Sequence, residues 1–349
     1  CSMQIEKKDI RAVSKEELRD FFVTSGDKAF RGNQVYEWLW SKGAHSFEDM
    51  TNISKETRAM LESYFVINHI KVDTMQRSED GTVKNAVRLH DGLVVESVLI
   101  PTNTRTTACV SSQVGCSLDC NFCATARLKR MRNLEPAEIY DQVLAIDRES
   151  RLYHNHPLSN IVFMGMGEPL MNYNNVLKAI EMITSEEGLG MSPKRIMVST
   201  SGVPKMIKKL ADDDVKFKLA VSLHSAIDEI RARIMPFSAN FPLADLRESL
   251  EYWYRKTKSK ISYEYVVWKD INDNKESIDA LVKFCKYVPC KVNLIEYNPI
   301  DDGEFQQASE EATNAYIKAL EASGIVVKVR RSRGKDIDAA CGQLANKEV

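Results

Sequence analysis

The most constraining feature of the sequence is a regular alternation of short β-rich runs and amphipathic helical stretches from about residue 105 onward. The β-rich runs are Thr107–Val110, Ile161–Met164, Arg195–Ser199, Lys216–Ser222, Ile261–Val267, Val292–Tyr297 and Ile325–Val329. Between them, apolar residues recur at three-to-four spacing, as in Ile139, Val143 and Ile146. Repeated β–α units predict an α/β fold built on a parallel sheet, either open or closed into a barrel.

The chain is 349 residues long, which suits a barrel-sized domain of ~250 residues with an appendage. Residues 1–75 are predicted to be a helical accessory domain, because Ser14 followed by Glu17 is a helix-start signal and Val35, Trp38 and Leu39 recur at helical spacing. Residues 76–104 are predicted to be a linking β extension, with a turn at Asp80-Gly81. The barrel is predicted to occupy residues 105–349.

Composition excludes several classes of protein. With 44% hydrophobic and 28% charged residues, the chain has the composition of a globular protein rather than a disordered one. No apolar run approaches the ~20 residues that a membrane span needs, and the first residues lack the apolar core of a signal peptide. The net charge is −1, so any nucleic acid must be met by local basic patches. We expect a cytoplasmic, monomeric protein with no membrane partner.

Three of the eight cysteines lie within eight residues. The cysteines are Cys1, Cys109, Cys116, Cys120, Cys123, Cys285, Cys290 and Cys341. Residues 116–123 have the pattern C-x3-C-x2-C, in which three thiolates can each bind one iron of a [4Fe-4S] cluster and leave the fourth iron open. Zinc is the alternative, but zinc sites prefer four ligands, and no second C-x2-C or matching His follows. Cys285 and Cys290 are interpreted as structural thiols.

Small and polar residues stand at the ends of several predicted strands. They are Gly167 and Glu168, Ser199, the run Ser222, Leu223 and His224, and Asn298. In parallel α/β folds the ligand lies at the carboxyl ends of the strands, so these positions indicate one large site. Taken singly, Ser199 and Ser222 could be turn hydroxyls and His224 a structural histidine.

Four segments together carry a family resemblance. These are the cysteine motif with Phe122 before its third Cys, Cys109–Cys116, Met164–Pro169 and Asp336–Leu344. The chain resembles the radical S-adenosylmethionine (SAM) superfamily and, within it, the RlmN-type adenine carbon-2 methyltransferases of 23S rRNA and tRNA. The resemblance implies a partial (β/α)6 TIM-like barrel with an N-terminal helical RNA-binding domain. It also implies a [4Fe-4S] cluster on Cys116, Cys120 and Cys123.

The resemblance also implies a role for each site residue. SAM would be surrounded by Gly167, Glu168, Ser199, Ser222, Leu223, His224 and Asn298. One SAM would methylate Cys341 and a second would supply the radical that activates this methyl group, so two are consumed per turnover. Glu96 would remove the proton from carbon 2. Cys109 would attack the Cys341 sulfur to release the RNA as a disulfide forms, which an external reductant regenerates; an external electron donor would reduce the cluster.

Three alternatives remain open on the sequence. A Cfr-type relative would methylate carbon 8 instead, although Gly167-Glu168-Pro169 and Val114 look like the carbon-2 group. A non-catalytic iron–sulfur RNA-binding or electron-transfer protein would give Cys109 and Cys341 no role. A radical SAM enzyme for small molecules would leave two basic patches without a role. The patches are Arg127, Lys129, Arg130 and Arg132, and Lys328, Arg330, Arg331, Arg333 and Lys335.

Overall fold

The computed structural model describes residues 6–301 and 303–347, so that Cys1 lies outside the described residues. Its helices are α1 (Lys15–Thr24), α2 (Phe30–Trp40), α3 (Lys55–Tyr64), α4 (Pro136–His154), α5 (Tyr173–Thr184), α6 (Pro204–Asp212), α7 (Asp228–Ile234), α8 (Leu243–Thr257), α9 (Lys275–Cys285) and α10 (Glu310–Ala322). Its strands are β1 (Lys8–Asp9), β2 (Phe65–Val66), β3 (Lys71–Arg77), β4 (Val83–Arg88), β5 (Val94–Pro101), β6 (Thr106–Cys109), β7 (Gln113–Val114), β8 (Arg132–Asn133), β9 (Asn160–Phe163), β10 (Ile196–Thr200), β11 (Lys218–Ser222), β12 (Ile261–Tyr265), β13 (Cys290–Ile295) and β14 (Val326–Arg330). A search of the helices among these residues found no candidate membrane span.

One large sheet organises the chain. In the described residues it has ten strands in the order β14-β13-β12-β11-β10-β9-β6-β5-β4-β3. From β6 to β14 neighbouring strands are parallel, and six β–α units lead from β6 to the last strand, β14. This confirms the predicted partial (β/α)6 barrel, and each predicted β-rich run overlaps one of its strands. Because the strands are parallel, their carboxyl ends meet at one end of the barrel.

The linking extension is an antiparallel part of the same sheet. Strands β3, β4 and β5 pair antiparallel, and β5 joins the barrel by pairing antiparallel with β6. The predicted domain boundary at residue 75 falls inside β3, which starts at Lys71. Nearly every side chain of β3 is exposed, so this edge strand lacks the apolar alternation by which strands are recognised. The extension therefore begins before the predicted boundary and continues the barrel sheet.

The N-terminal module is helical, as predicted. Ser14 caps α1 by accepting a hydrogen bond from the Glu17 amide at 3.1 Å, and Ser54 caps α3 in the same way. The aromatic side chains of Tyr36 and Trp40 are buried, so they belong to the core rather than to a surface that stacks on RNA bases. Trp40 packs edge-on against Tyr140 of α4 at 5.2 Å between ring centroids.

A buried ion pair joins this module to the barrel. Arg11 donates two hydrogen bonds of 2.7 Å to the two carboxylate oxygens of Asp141 on α4. Burial alone would raise the pKa of Asp141, but the hydrogen bonds and charge of Arg11 lower it. Asp141 also contacts His69, which follows β2 at the end of the module. The accessory module is therefore docked on α4 by a paired charge as well as by aromatic packing.

We predict that Arg11→Met lowers the free energy of unfolding by about 3 to 5 kcal/mol, because it leaves the Asp141 carboxylate buried without its partner. Denaturant titration measures the loss. The matched control is Lys208→Met, which breaks the exposed 3.0 Å pair with Glu248 and should cost less than about 1 kcal/mol. Equal losses in the two variants would contradict the docking role.

Candidate active site

The cysteine motif forms a loop closed by a short hairpin. Strands β7 and β8 pair antiparallel on either side of it. At Gly115 the backbone has φ 75°, and an added Cβ would lie 2.4 Å from the carbonyl oxygen of Lys129, so only glycine fits this turn. The Gln113 side chain braces the loop, because it accepts from the Ser117 amide at 3.1 Å and donates to the Ser117 hydroxyl at 2.8 Å. Loop and barrel are linked here, since the same Gln113 oxygen accepts from the Glu168 amide at 3.0 Å.

The three loop cysteines fit an iron–sulfur cluster. Cys116, Cys120 and Cys123 all line one cavity at the carboxyl ends of the strands. Within residues 6–301 and 303–347, no group of three His, Cys, Asp or Glu side chains is arranged to hold a single metal ion. Three thiolates spread around one cavity suit a cluster, in which each binds a different iron. Phe122, between the second and third cysteines, packs edge-on against His224 at 4.7 Å.

Glu168 places a buried carboxylate in the same cavity. Its oxygens accept hydrogen bonds from the Thr200 hydroxyl at 2.5 Å and from the Ser201 amide at 3.0 Å. Burial raises the pKa of Glu168 to about 6, although these hydrogen bonds act in the opposite direction. Gly167 has φ 100°, and a Cβ there would lie 2.6 Å from Gln113. The glycine therefore allows Gln113, which holds the cysteine loop, to pack against the segment that follows β9. A carboxylate held in this way can receive an ammonium group.

Ser199, Ser222 and His224 also line the cavity, whereas the Leu223 side chain is fully buried in the core and does not. His224 has φ 59°, and its Nδ1 accepts from the Val266 amide at 3.1 Å. Burial lowers the pKa of His224 to about 3, so the ring is neutral and its Nε2 carries the proton. His224 is thus hydrogen-bonded within the fold, as a structural histidine would be, and it also forms part of the cavity wall.

Cys341 and Cys109 meet at this cavity from distant parts of the chain. Cys109 ends β6, and Cys341 lies 232 residues later in the C-terminal segment, yet both line the cavity. Cys341 is exposed to solvent, while the protein around the cavity acts to raise the pKa of its thiol and a thiolate at Cys109 would raise it further. Asn298 fixes the segment by donating to the Cys341 carbonyl at 3.1 Å. The two thiols are therefore brought together with the cysteine loop.

A glutamate on a strand would ordinarily be expected to face solvent, but Glu96 is buried. It does not line the cavity. It lies on β5, where one oxygen contacts the Lys84 ammonium at 3.1 Å. The other oxygen accepts from the amides of Ala345 and Asn346 in the C-terminal segment, at 2.9 Å for Ala345. Glu96 thus lies directly beneath the chain that carries Cys341.

Sequence reasoning missed several residues of the site. Thr200 and Ser201 directly follow Ser199 at the end of β10 but were not among the predicted site residues. Arg231 gave no signal, since it is one of many charged residues on helices. It is almost fully buried and donates to the carbonyls of Ser201 at 2.7 Å, Ser222 at 3.2 Å and Leu223 at 3.1 Å. Its guanidinium therefore ties together the loops that follow β10 and β11.

Glu264 is a second buried carboxyl group in the cavity wall that the sequence did not reveal. It lies on β12, all residues of which are buried, and burial raises the pKa of Glu264 to about 7. The Asn293 amide of β13 donates to it at 3.2 Å.

Comparison with known proteins places this arrangement in a family. Residues 8–67 match the ribosomal RNA large subunit methyltransferase N-terminal domain, and residues 110–285 match the radical SAM superfamily. A probable dual-specificity RNA methyltransferase RlmN of Flavobacterium johnsoniae is 88% identical over 347 residues, covering 99% of each chain. The chain belongs to the RlmN family. This confirms the resemblance seen in the motifs, and the N-terminal match ends at residue 67, before β3.

More distant relatives agree. The dual-specificity RNA methyltransferase RlmN of Nitratidesulfovibrio vulgaris is 42% identical, covering 98% of this chain and 96% of its own. The crystal structure of a radical SAM methyltransferase from Sphaerobacter thermophilus superposes with a TM-score of 0.90 at 35% identity, covering 97% of this chain and 100% of its own. This RlmN family member is therefore a radical SAM enzyme, with the N-terminal domain and the barrel both present.

We predict that Cys120→Ala abolishes nearly all iron binding after anaerobic reconstitution, because three thiolates are the protein's whole share of the cluster ligands. Iron and sulfide per chain, together with visible absorption, measure the loss. Cys285→Ala is the matched control, because this buried cysteine at the end of α9 does not line the cavity and should leave the iron content unchanged. Full iron in the Cys120 variant would contradict the ligand assignment.

Proposed function

We propose that this protein methylates carbon 2 of a specific adenosine in 23S rRNA and in tRNA through an S-methylcysteine at Cys341. The observation that supports the proposal is the convergence of Cys109, Cys341 and the three loop cysteines on one cavity. Cys341 reaches the cavity from 218 residues beyond Cys123, and Cys109 ends β6 outside the C-x3-C-x2-C loop. A purely cluster-binding or electron-transfer role gives no reason for bringing these two thiols together there. A cysteine nucleophile solves the chemical problem, because carbon 2 of adenine is electron-poor and cannot attack a methyl sulfonium.

The cluster and SAM, when bound, supply the methyl group and the 5′-deoxyadenosyl radical, and Cys116, Cys120 and Cys123 hold the cluster. Glu168, Gly167, Ser199, Ser222, His224 and Asn298 surround SAM, with Leu223 contributing only its backbone. The sulfur of Cys341 carries the methyl carbon to the RNA. Glu96 accepts the proton from carbon 2. The adduct formed by radical addition would give its unpaired electron to a one-electron acceptor, for which the oxidised cluster is suited, and a closed-shell thioether between Cys341 and the RNA would remain.

Cys109 releases the RNA from the enzyme. Its thiolate attacks the Cys341 sulfur, so that a disulfide forms and the sulfur–carbon bond to the RNA breaks. The electron pair of that bond stays with the carbon, which takes up a proton to become the methyl group. The disulfide must then be reduced by an external thiol reductant. We further propose that two SAM molecules are consumed per turnover and that an external donor supplies the electron for radical formation.

Exposed cations that flank the cysteine loop and the Cys341 segment in sequence suit RNA phosphates. Lys129 and Arg130 follow the cysteine loop, and Lys328, Arg330 and Arg331 precede the Cys341 segment, all of them exposed. Two members of the proposed patches are engaged elsewhere. Arg132 pairs with Asp91 and Glu138, and Lys335 pairs with Glu296. Binding through the exposed cations should weaken with added salt.

A protein that acts on ribosomal and transfer RNA works where these RNAs are made and assembled. We therefore propose a cytoplasmic enzyme that acts as a monomer, since one chain supplies the cluster loop, both proposed catalytic thiols and Glu96. The experiment that tests the function is anaerobic reconstitution with iron and sulfide, followed by a SAM-dependent assay on unmodified 23S rRNA and tRNA. Mass spectrometry of the digested RNA should show 2-methyladenosine; 8-methyladenosine would move the enzyme to the Cfr type, and no methylated base would refute the proposal.

We predict that Cys341→Ala retains the cluster and SAM binding but yields no methylated RNA, because the methyl carrier is missing. Cys109→Ala should instead accumulate a covalent protein–RNA adduct, because the thioether can form but cannot be released. Denaturing gels with labelled RNA detect the adduct, and Cys290→Ala is the control that should turn over normally. Normal turnover by the Cys109 variant would refute its resolving role.

A further inference from the structure

Lys84 is a charged residue of β4 that the proposed mechanism does not use. Its side chain is only 9% exposed, and that of Glu96 is 3% exposed. In the antiparallel register of β4 and β5, Ala86 faces Glu96 and Lys84 faces Val98. Side chains two residues apart lie on the same face of a strand, so Lys84 and Glu96 are diagonal neighbours on one face of the sheet. Their ion pair is therefore built into the strand register.

The same face leads to the reaction centre. Val98 faces Cys109 across β5 and β6, and Cys109 faces Val162 across β6 and β9. Cys109, Val162 and Ile100 all line the cavity. Lys84 and Glu96 thus continue the cavity face of the barrel into its antiparallel extension. A nearly buried lysine is costly unless it is paired, and the carboxylate of Glu96 supplies that partner.

The two oxygens of Glu96 have different partners. Oε2 contacts Lys84 at 3.1 Å, and both groups belong to adjacent strands of a continuous sheet. Oε1 accepts from two backbone amides, those of Ala345 and Asn346, in a segment outside the helices and strands. A second contact fastens this segment to β5, since the Asn346 side chain donates to the Val94 carbonyl at 2.8 Å. One oxygen is therefore held by the sheet and the other by the C-terminal segment.

The two amides occupy both lone pairs of Oε1, and Oε2 faces the Lys84 ammonium, so a carbon-bound proton can reach Oε1 only after an amide leaves it. A general base must come within hydrogen-bond reach of the proton that it removes. Oε1 is the oxygen that can be released, because the C-terminal segment is held over Glu96 by a few hydrogen bonds, whereas Lys84 is held by the ladder between β4 and β5. The Cys341 end of the segment has its own anchors, namely Ala124 to the Gly342 carbonyl at 2.8 Å and Thr125 to the Leu344 carbonyl at 2.6 Å. Residues 345–346 can therefore leave Glu96 without displacing Cys341.

We propose that Lys84 is a positioning residue that fixes Glu96 by Oε2, while Ala345 and Asn346 occupy Oε1 until the target adenine replaces them. The proposal rests on the proposed role of Glu96 as the base. The C-terminal segment then acts as a strap that covers the base in the free enzyme. With Lys84 in place, Oε1 remains directed at the position that the strap vacates.

The test compares Lys84→Met, which removes the cation at similar length, with Lys84→Arg, which keeps it. In the reconstituted full-length enzyme, methylation of Cys341 by SAM should proceed normally in both, because Glu96 takes no part in it. RNA methylation by Lys84→Met should fall by about 10- to 100-fold, a part of what a general base contributes, and Lys84→Arg should recover most of it. Arg88→Met is the control on the same strand, since Arg88 pairs with Asp73 and not with Glu96.

An isotope effect separates positioning from a structural role. With RNA carrying deuterium at carbon 2 of the target adenosine, Lys84→Met should show a larger ratio of light to heavy rates than the wild-type enzyme, because proton removal has become slower. An unchanged ratio, or Cys341 methylation slowed as much as RNA methylation, would overturn the proposal. If the wild-type enzyme itself fails to methylate RNA, the proposed function fails first, and the two failures are thus distinguishable.

The strap is tested by hydrogen exchange. The amides of Ala345 and Asn346 should be protected from exchange in the reconstituted Cys341→Ala enzyme. They should exchange faster when unmodified RNA substrate is bound, because they lose their hydrogen bonds to Glu96. A control peptide from β5 should not change in this way. Slower or unchanged exchange of the C-terminal peptide in the RNA complex would overturn the strap.

Discussion

The arrangement of the site depends on how the C-terminal segment is held over the carboxyl ends of the barrel strands. Three separate parts of the chain bind its backbone: the end of the cysteine loop at Ala124 and Thr125, Asn298 after β13, and Glu96 on β5. Each of these contacts reaches a carbonyl or an amide of the segment. Without them Cys341 would have no defined position relative to Cys109, since the segment forms no strand of the sheet. The placement of Cys341 beside Cys109 and the cysteine loop thus depends on a few hydrogen bonds to the backbone of the segment.

Elements with a distinctive residue pattern were predicted from the sequence, whereas contacts made by the backbone were not. The β-rich runs were found because buried parallel strands such as β9 and β10 contain consecutive apolar residues, Ile-Val-Phe and Ile-Met-Val. The cysteine loop was found because its spacing is specific. Strand β3 was missed because its side chains are almost all exposed, and nothing in its composition marks it as part of a sheet. The hydrogen bonds that the Ala345 and Asn346 amides donate to Glu96 could not be predicted, because every residue except proline has a backbone amide that can donate.

Buried charged residues were also not predicted from the sequence, and in each case the structure shows why. Arg231 and Lys84 look like ordinary surface residues in the sequence, yet Arg231 is almost fully buried and Lys84 nearly so. Arg231 is satisfied mainly by carbonyl oxygens of the loops after β10 and β11, and burial lowers its pKa to about 10. A cation satisfied by carbonyls leaves no complementary acid in the sequence by which it could be found. Arg11 is different, since its partner Asp141 is also visible as a charge, but 130 residues separate them.

The antiparallel extension is more than a link between the accessory module and the barrel. Because β5 pairs with β6 in register, the face that carries Cys109 continues into Val98, Glu96 and Lys84 without interruption. The opposite face of the same strands packs on α4, where the Asn85 side chain donates to Glu149 at 3.0 Å. Helix α4 also receives Arg11 and Trp40 of the N-terminal module. A single sheet therefore directs one face to the cavity and the other to the accessory module, so that β4 and β5 fix the position of this module relative to Glu96.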